Sequence, residues 1–124
     1  MAVRIERVYD SHSSKGTRFL VERLWPRGIK KEMLKMDEWL KDVAPTSELR
    51  QWFNHDPAKW SEFRRRYTAE LERHPAAWQH ILDAARQGGV TLLYSARDTE
   101  HNNAIVLKEY LEAKLKASAK ARHT

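Results

Sequence analysis

The chain has no cysteine, which excludes a disulfide, a thiolate nucleophile and a cysteine-based zinc site. Its six histidines, at 12, 55, 74, 80, 101 and 123, include no i, i+4 pair. No metal and no cofactor are therefore expected. No apolar run approaches the roughly 20 residues that cross a bilayer. The opening Met1-Ala2-Val3-Arg4-Ile5-Glu6 lacks the apolar core of a signal peptide. These absences lead us to expect a cytoplasmic chain with no membrane partner. Internal repeats and interdomain linkers are missing too. What remains is a 124-residue chain, 41% hydrophobic and 32% charged, the balance of one ordinary globular domain.

The formal net charge is +6. Lys114, Lys116, Lys120 and Arg122 lie in a C-terminal stretch without acids, and without them 19 basic residues face 17 acidic ones. The excess belongs largely to the end of the chain. We place a single domain at residues 1–116 and a basic, fraying tail at 117–124. Nucleic-acid binders carry their basic face on the folded domain, so the net charge alone argues little for such a partner.

From Val3 to Tyr9 apolar and charged residues alternate loosely, as in a strand with one solvated face. Asp10–Gly16 is a polar, serine-rich loop, and Arg18–Trp25 reads as a second strand. The connection of about seven residues is shorter than the dozen or more of a parallel crossover, which favours antiparallel pairing of these two strands. Met36, Trp39, Leu40 and Val43 fall at helical spacing, with Asp37 near the start and Pro45 at the end. Thr46 or Ser47 caps a short helix carrying Leu49, Trp52 and Phe53. Asp56 as N-cap and Pro57 at the first helical position open a helix with one apolar stripe, Trp60, Phe63, Tyr67 and Leu71. Pro75 starts another, with Trp78, Ile81, Leu82 and Ala85 inward, and Gly88-Gly89 ends it. Val90–Tyr94 is a compact apolar run, the mark of a buried central strand. Asp98 or Thr99 caps the last helix, which buries Ala104, Leu107, Leu111 and Leu115. The expected fold is α/β: a small sheet of about three strands packed by four to five helices, strands two and three parallel across a long helical crossover.

Parallel strands two and three bring two loops to one sheet edge, where open α/β sheets bind ligands. One is the turn Arg23-Leu24-Trp25-Pro26-Arg27-Gly28, stiffened by Pro26. The other is Tyr94–Asn102. Arg23, Arg27 and Arg97 supply positive charge, and the start of the last helix supplies free N–H groups. With Trp25, Tyr94, Ser95 and Asn102 they form a candidate set for a small anionic ligand, a phosphate or a carboxylate. His101 and Asp98, three residues apart, are the candidate catalytic pair, a carboxylate orienting an imidazole. Ser95 lacks the G-x-S-x-G setting of a nucleophile elbow. The plainer alternatives are that Arg23 and Arg97 pair with Asp98, Glu22 or Asp37 to fix the loops, and that Asp98 only caps a helix. His55 reads as a structural hydrogen-bonder. Arg64-Arg65-Arg66 and the tail suit nucleic-acid contact, or else a solvated face offset by Glu62, Glu70 and Glu72. Trp39, Trp52, Trp60 and Trp78 read as core, whereas Trp25 lies in the turn.

The segments R-F-L-V-E-R-L-W-P-R-G, W-L-K-D-V-A-P-T-S-E-L-R-Q-W-F, H-D-P-A-K-W-S-E-F-R-R-R-Y and V-T-L-L-Y-S-A-R-D-T-E-H-N-N-A together resemble the DUF488 family, in its short YeaO-like branch. The resemblance spans about residues 3–112. It implies an α/β fold and a small cytoplasmic bacterial or archaeal protein, and it supplies no reaction. Some members carry the label of MarR-type regulators, but the chain shows no helix-turn-helix followed by a winged hairpin. Positions matching the family pattern are Arg23, Trp25, Pro26, Arg27, Gly28, His55, Asp56, Tyr94, Arg97, Asp98 and Asn102. Glu22 and Asn54 depart from it, where Asp and Gly are common. Neither departure is expected to touch the proposed site directly, although Asn54 alters the turn before His55. The leading expectation is an α/β domain with an anion pocket at the carboxyl strand edge, whether or not it catalyses. The alternatives are a nucleic-acid-binding or regulatory module, and a protein-interaction domain with an exposed apolar patch.

Overall fold

Four strands, Val3–Arg7 (β1), Thr17–Leu20 (β2), Glu38–Trp39 (β3) and Val90–Tyr94 (β4), form one sheet in the order β1-β4-β2-β3. Every neighbouring pair is parallel. The computed structural model describes residues 3–10 and 16–122, with side chains to residue 117. β4 is central and all five of its residues are buried, as its unbroken apolar run requires of a strand covered on both faces. Strand alternation sorts the core into two layers. Phe19, Leu92 and Tyr94 join the main cluster under the helices. Leu20 and Leu93 join a smaller cluster with Val8 and Leu34 on the opposite face.

The helices are Ser47–Phe53 (α1), Trp60–Arg73 (α2), Pro75–Gln87 (α3) and Asn103–Arg122 (α4). Thr46 caps α1, its hydroxyl oxygen accepting from the Leu49 N–H at 3.3 Å. Asp56 accepts from the Ala58 N–H at 3.0 Å and opens a 3-10 turn, Pro57–Lys59, that runs into α2. The stripe Phe63, Tyr67 and Leu71 is buried, and so are Trp78, Ile81, Leu82 and Ala85 of α3. Helices α3 and α4 contact β4. The second sheet face is covered by Trp25, Ile29, Met36 and Trp39 of the segment after β2.

Two expectations about the sheet are corrected. β1 runs parallel to β4, which itself runs parallel to β2, so β1 and β2 point the same way with β4 between them. A five-residue strand needs a return of roughly 17 Å. Residues 8–16 can reach about 30 Å when extended, so a short crossover, opening on the 3-10 turn Val8–Asp10, is long enough to close the path. Part of the expected serine-rich loop, residues 11–15, lies outside the described residues. The sheet also has a fourth strand, in a stretch expected to be helical. The backbone on either side of β3 bonds to β2, Asp37 N–H to the Arg18 carbonyl at 2.8 Å and Leu40 N–H to the Leu20 carbonyl at 2.9 Å. Trp39 Nε1–H donates to the Glu22 carbonyl at 2.6 Å. About eight residues before a proline are too few to offset helix nucleation, and these long-range bonds decide the outcome.

The turn after β2 is a braced corner. Arg23 Nε–H and Nη2–H donate to the Pro45 and Ala44 carbonyls, each at 3.0 Å. Trp25 Nε1–H donates to the Ile29 carbonyl at 2.6 Å, and the ring packs edge-on against Trp39. Pro26 is buried, and Gly28 takes a φ of 79°. At the other end of the molecule, α4 remains helical through Arg122. Of the expected tail, the side chains from residue 118 and all of residues 123–124 lie outside the described residues.

Candidate functional site

β2 and β4 end side by side, and the chain leaving each of them, together with α1, encloses a cleft of about 380 Å³. Glu22 and Leu24 come from the segment after β2, and Ser95 and Ala96 from that after β4. Arg50, Gln51 and Phe53 come from α1, followed by Asn54 and His55. Pro45, Phe63, His101, Asn102 and Asn103 complete the wall.

Each polar group is placed by a local cause. Ser95 N–H donates to Glu22 Oε1 at 3.0 Å, so the two strand ends are tied across the cleft. Burial pushes the Glu22 carboxyl above the usual range, while the hydrogen bonds from Ser95 and the Arg50 charge pull it down. Arg50 sits on α1. Among the described residues its guanidinium has no hydrogen-bond or ion-pair partner, only this electrostatic pull on Glu22. α1 ends in two successive left-handed residues, Asn54 (φ 45°) and His55 (φ 55°). Asparagine tolerates that conformation, and for histidine it is uncommon. The turn sets His55 at the cleft rim, exposed.

Asp98 organises the loop before α4. Its Oδ1 accepts from the N–H groups of Glu100 and His101 at 2.9 and 3.0 Å, and its Oδ2 lies 2.9 Å from His101 Nδ1. These hydrogen bonds, the Glu100 N–H first, hold the Asp98 carboxyl below its ordinary range. The His101 ring meets Trp60 of α2 edge-on at 5.1 Å. With Nδ1 on the carboxylate, Nε2 is the nitrogen left for a ligand. Asn102, not Asp98 or Thr99, caps α4, its Oδ1 accepting from the Ile105 N–H at 3.1 Å. Asn102 Nδ2 donates to the Asp98 carbonyl, and Asn103 Nδ2 to the Val21 carbonyl.

Of the residues singled out in the sequence, Ser95, His101 and Asn102 line this cleft and Asp98 stands behind His101. Asn102 uses both ends of its amide to brace the loop. Arg23, Trp25, Arg27, Tyr94 and Arg97 are not in its wall. Arg23 is held on carbonyls rather than on Glu22, Asp37 or Asp98. Tyr94 is buried in the main core. Arg27 is exposed, and its carbonyl accepts from the Tyr9 hydroxyl at 2.7 Å. Arg97 is exposed. Conversely, Glu22, Arg50, Gln51, Asn54 and His55 line the cleft without having been placed there from sequence. Two of them, Glu22 and Asn54, are the positions expected to depart from the family pattern and to stay clear of the site, and both line the cleft.

The triple arginine lies elsewhere. Arg65 and Arg66 bond Glu62, Arg64 pairs with Glu109 of α4, and Arg66 also covers the Trp52 ring at 4.2 Å. Exposed large apolar side chains among the described residues are scattered: Tyr9, Leu24 and Met33. Trp39 lies in the strand β3, not a helix, and packs with Trp25 on the second face of the sheet. No helix among the described residues is long and apolar enough to cross a membrane.

The domain is an all-parallel α/β sheet with a cleft at the carboxyl ends of its two middle strands. The chain belongs to the DUF488 family: the model of the group described as the inactive DUF488-N3 subclade matches residues 2–124. It is 44% identical to the uncharacterized protein YeaO of Escherichia coli (strain K12) over 91% of this chain and 99% of YeaO. It is 38% identical to the uncharacterized protein Mb3100c of Mycobacterium bovis over 90% of this chain and 95% of that protein. The uncharacterized protein Rv3073c of Mycobacterium tuberculosis (strain ATCC 25618 / H37Rv) matches with the same identity and coverage. No solved structure matches the chain.

Proposed function

We propose that the protein is a binding domain that takes a small anionic ligand, a carboxylate or a phosphate, in the cleft between β2, β4 and α1. One observation carries this reading. Arg50, unpaired among the described residues, faces the same cleft as His55 and His101. A guanidinium grips an oxyanion with two parallel N–H bonds, and two imidazoles add donors that can be charged. Arg50 thus takes the part that the sequence had suggested for Arg27 and Arg97. The family description, an inactive subclade, supports binding without turnover.

Titration calorimetry with acetate and with inorganic phosphate tests the proposal. Binding of either probe that Arg50→Ala weakens and Arg27→Ala leaves unchanged is the expected result. Binding indifferent to Arg50, or no binding at all, contradicts it. A catalytic reading rests on the Asp98–His101 contact at 2.9 Å, which would leave Nε2 of His101 as general base. Turnover of simple phosphate or carboxylate esters, lost in His101→Gln, would favour that reading over binding alone.

A further inference from the structure

Resting on the anion reading of the cleft, we infer that Glu22 is a second ligand-contacting group there and meets the anion as a carboxylic acid, so that each anion bound brings one proton with it. The geometry comes first. Glu22 follows β2 and Ser95 follows β4, adjacent strands of a parallel pair, and the Ser95 N–H fixes Glu22 Oε1 at 3.0 Å. The carboxyl is therefore a rigid part of the wall that also presents Arg50.

Charge then decides its protonation. An anion entering beside an ionised Glu22 would set two negative charges against Arg50 in a partly dehydrated cleft. With Glu22 protonated, the arginine and the anion balance, and the carboxylic O–H becomes a donor to the anion. A like charge nearby favours the neutral carboxyl, in the direction in which burial already drives this group. The groups facing it are Arg50 from α1, His55 after α1, Ser95 after β4 and His101 before α4. Tyr67 of α2 lies close enough to feel its charge. Arg50 and the Ser95 N–H oppose protonation. The two histidines line the same cleft, so their part is separated from that of Glu22 by experiment.

Acetate is the probe, because it stays ionised from pH 6 to 8. Titration calorimetry in two buffers of different ionisation heat reads the protons taken up. The native protein should take up close to one proton per acetate, with Kd rising by up to about tenfold per pH unit above the Glu22 titration. Glu22→Gln keeps an acceptor for the Ser95 N–H and should bind acetate with most of that dependence gone. The double variant His55→Gln/His101→Gln loses two donors and should bind acetate more weakly, yet still take up close to one proton per acetate bound, and it carries the test by itself if Glu22→Gln does not fold. Acetate binding whose proton uptake survives Glu22→Gln, or vanishes in the histidine double variant, overturns this inference and leaves the anion reading standing. No acetate or phosphate binding at any pH overturns both.

Discussion

Glu62 and Glu22 are both glutamates beside arginines, and the fold treats them in opposite ways. Glu62, on the outer face of α2, accepts from Arg65 Nε and Nη2 at 2.9 and 2.5 Å and from Arg66 Nε at 2.8 Å. Those bonds hold its carboxyl down at about 2. Glu22 receives the Ser95 N–H, is half-buried, and is pushed upward. On α2, Glu62 is matched by Arg65 and Arg66, and Arg64 by Glu109 of α4. In the cleft the arginine stays open, and the carboxyl bears the cost of its burial. The most arginine-rich run in the chain is therefore paired on the surface, whereas Arg50, without a hydrogen-bond or ion-pair partner among the described residues, stands in the wall of the cleft.

Two arginine substitutions separate the corner from the cleft. Arg23→Ala removes two charge-assisted bonds from the buried Ala44 and Pro45. It should cost about 2–3 kcal/mol in urea unfolding while leaving acetate affinity alone. Arg50→Ala should do the reverse, with unfolding little changed and anion affinity reduced about 10- to 100-fold, the worth of a charge-assisted contact. Next comes the pH profile. Glu22, raised in the folded state, stabilises most below its ordinary range, and that contribution is lost as pH rises through its folded value. Glu22→Gln should therefore gain stability over the native protein as pH climbs, seen in melts between pH 5 and 8. Glu62, lowered, has the opposite sign: its contribution is present above the ordinary glutamate range and fades as pH falls toward 2. Asn54→Gly relaxes one left-handed residue and should gain only about 0.5 kcal/mol. Smallest of all, Glu62→Gln at neutral pH should leave the melting temperature unmoved, because exposed pairs contribute little and salt screens them.

Much of the fold was legible because its signals are local. Val90–Tyr94 is the central strand with the bounds read from its apolar run. Asp56 caps, Pro57 opens the turn into α2, and Phe63, Tyr67 and Leu71 are the buried stripe. The parallel relation of the strands before and after the long helical stretch was legible too, from the length of the crossover. What escaped has no local signature. Glu38–Trp39 is a strand only because β2 lies beside it, and the direction of β1 depends on a crossover of about nine residues, shorter than the usual dozen. The cleft follows the same division. Ser95, His101 and Asn102 lay in a loop already suspected, whereas Arg50 sits on a short helix whose sequence shows only a cap and an apolar stripe. Its place opposite Ser95 is a product of tertiary packing. In the Arg23–Gly28 turn the structure gives Arg23 and Trp25 work in bracing the corner.

On the proposed reading, the anion enters the cleft beside Arg50 and does not bind at the arginines outside it. Amide chemical-shift mapping by NMR during titration with acetate tests this directly. Saturable shifts concentrated at Glu22, Arg50, His55, Ser95 and His101, and absent in Arg50→Ala, are the expected result. Shifts centred on Arg27, Arg97 or Arg64–Arg66, with the cleft unmoved, would contradict it.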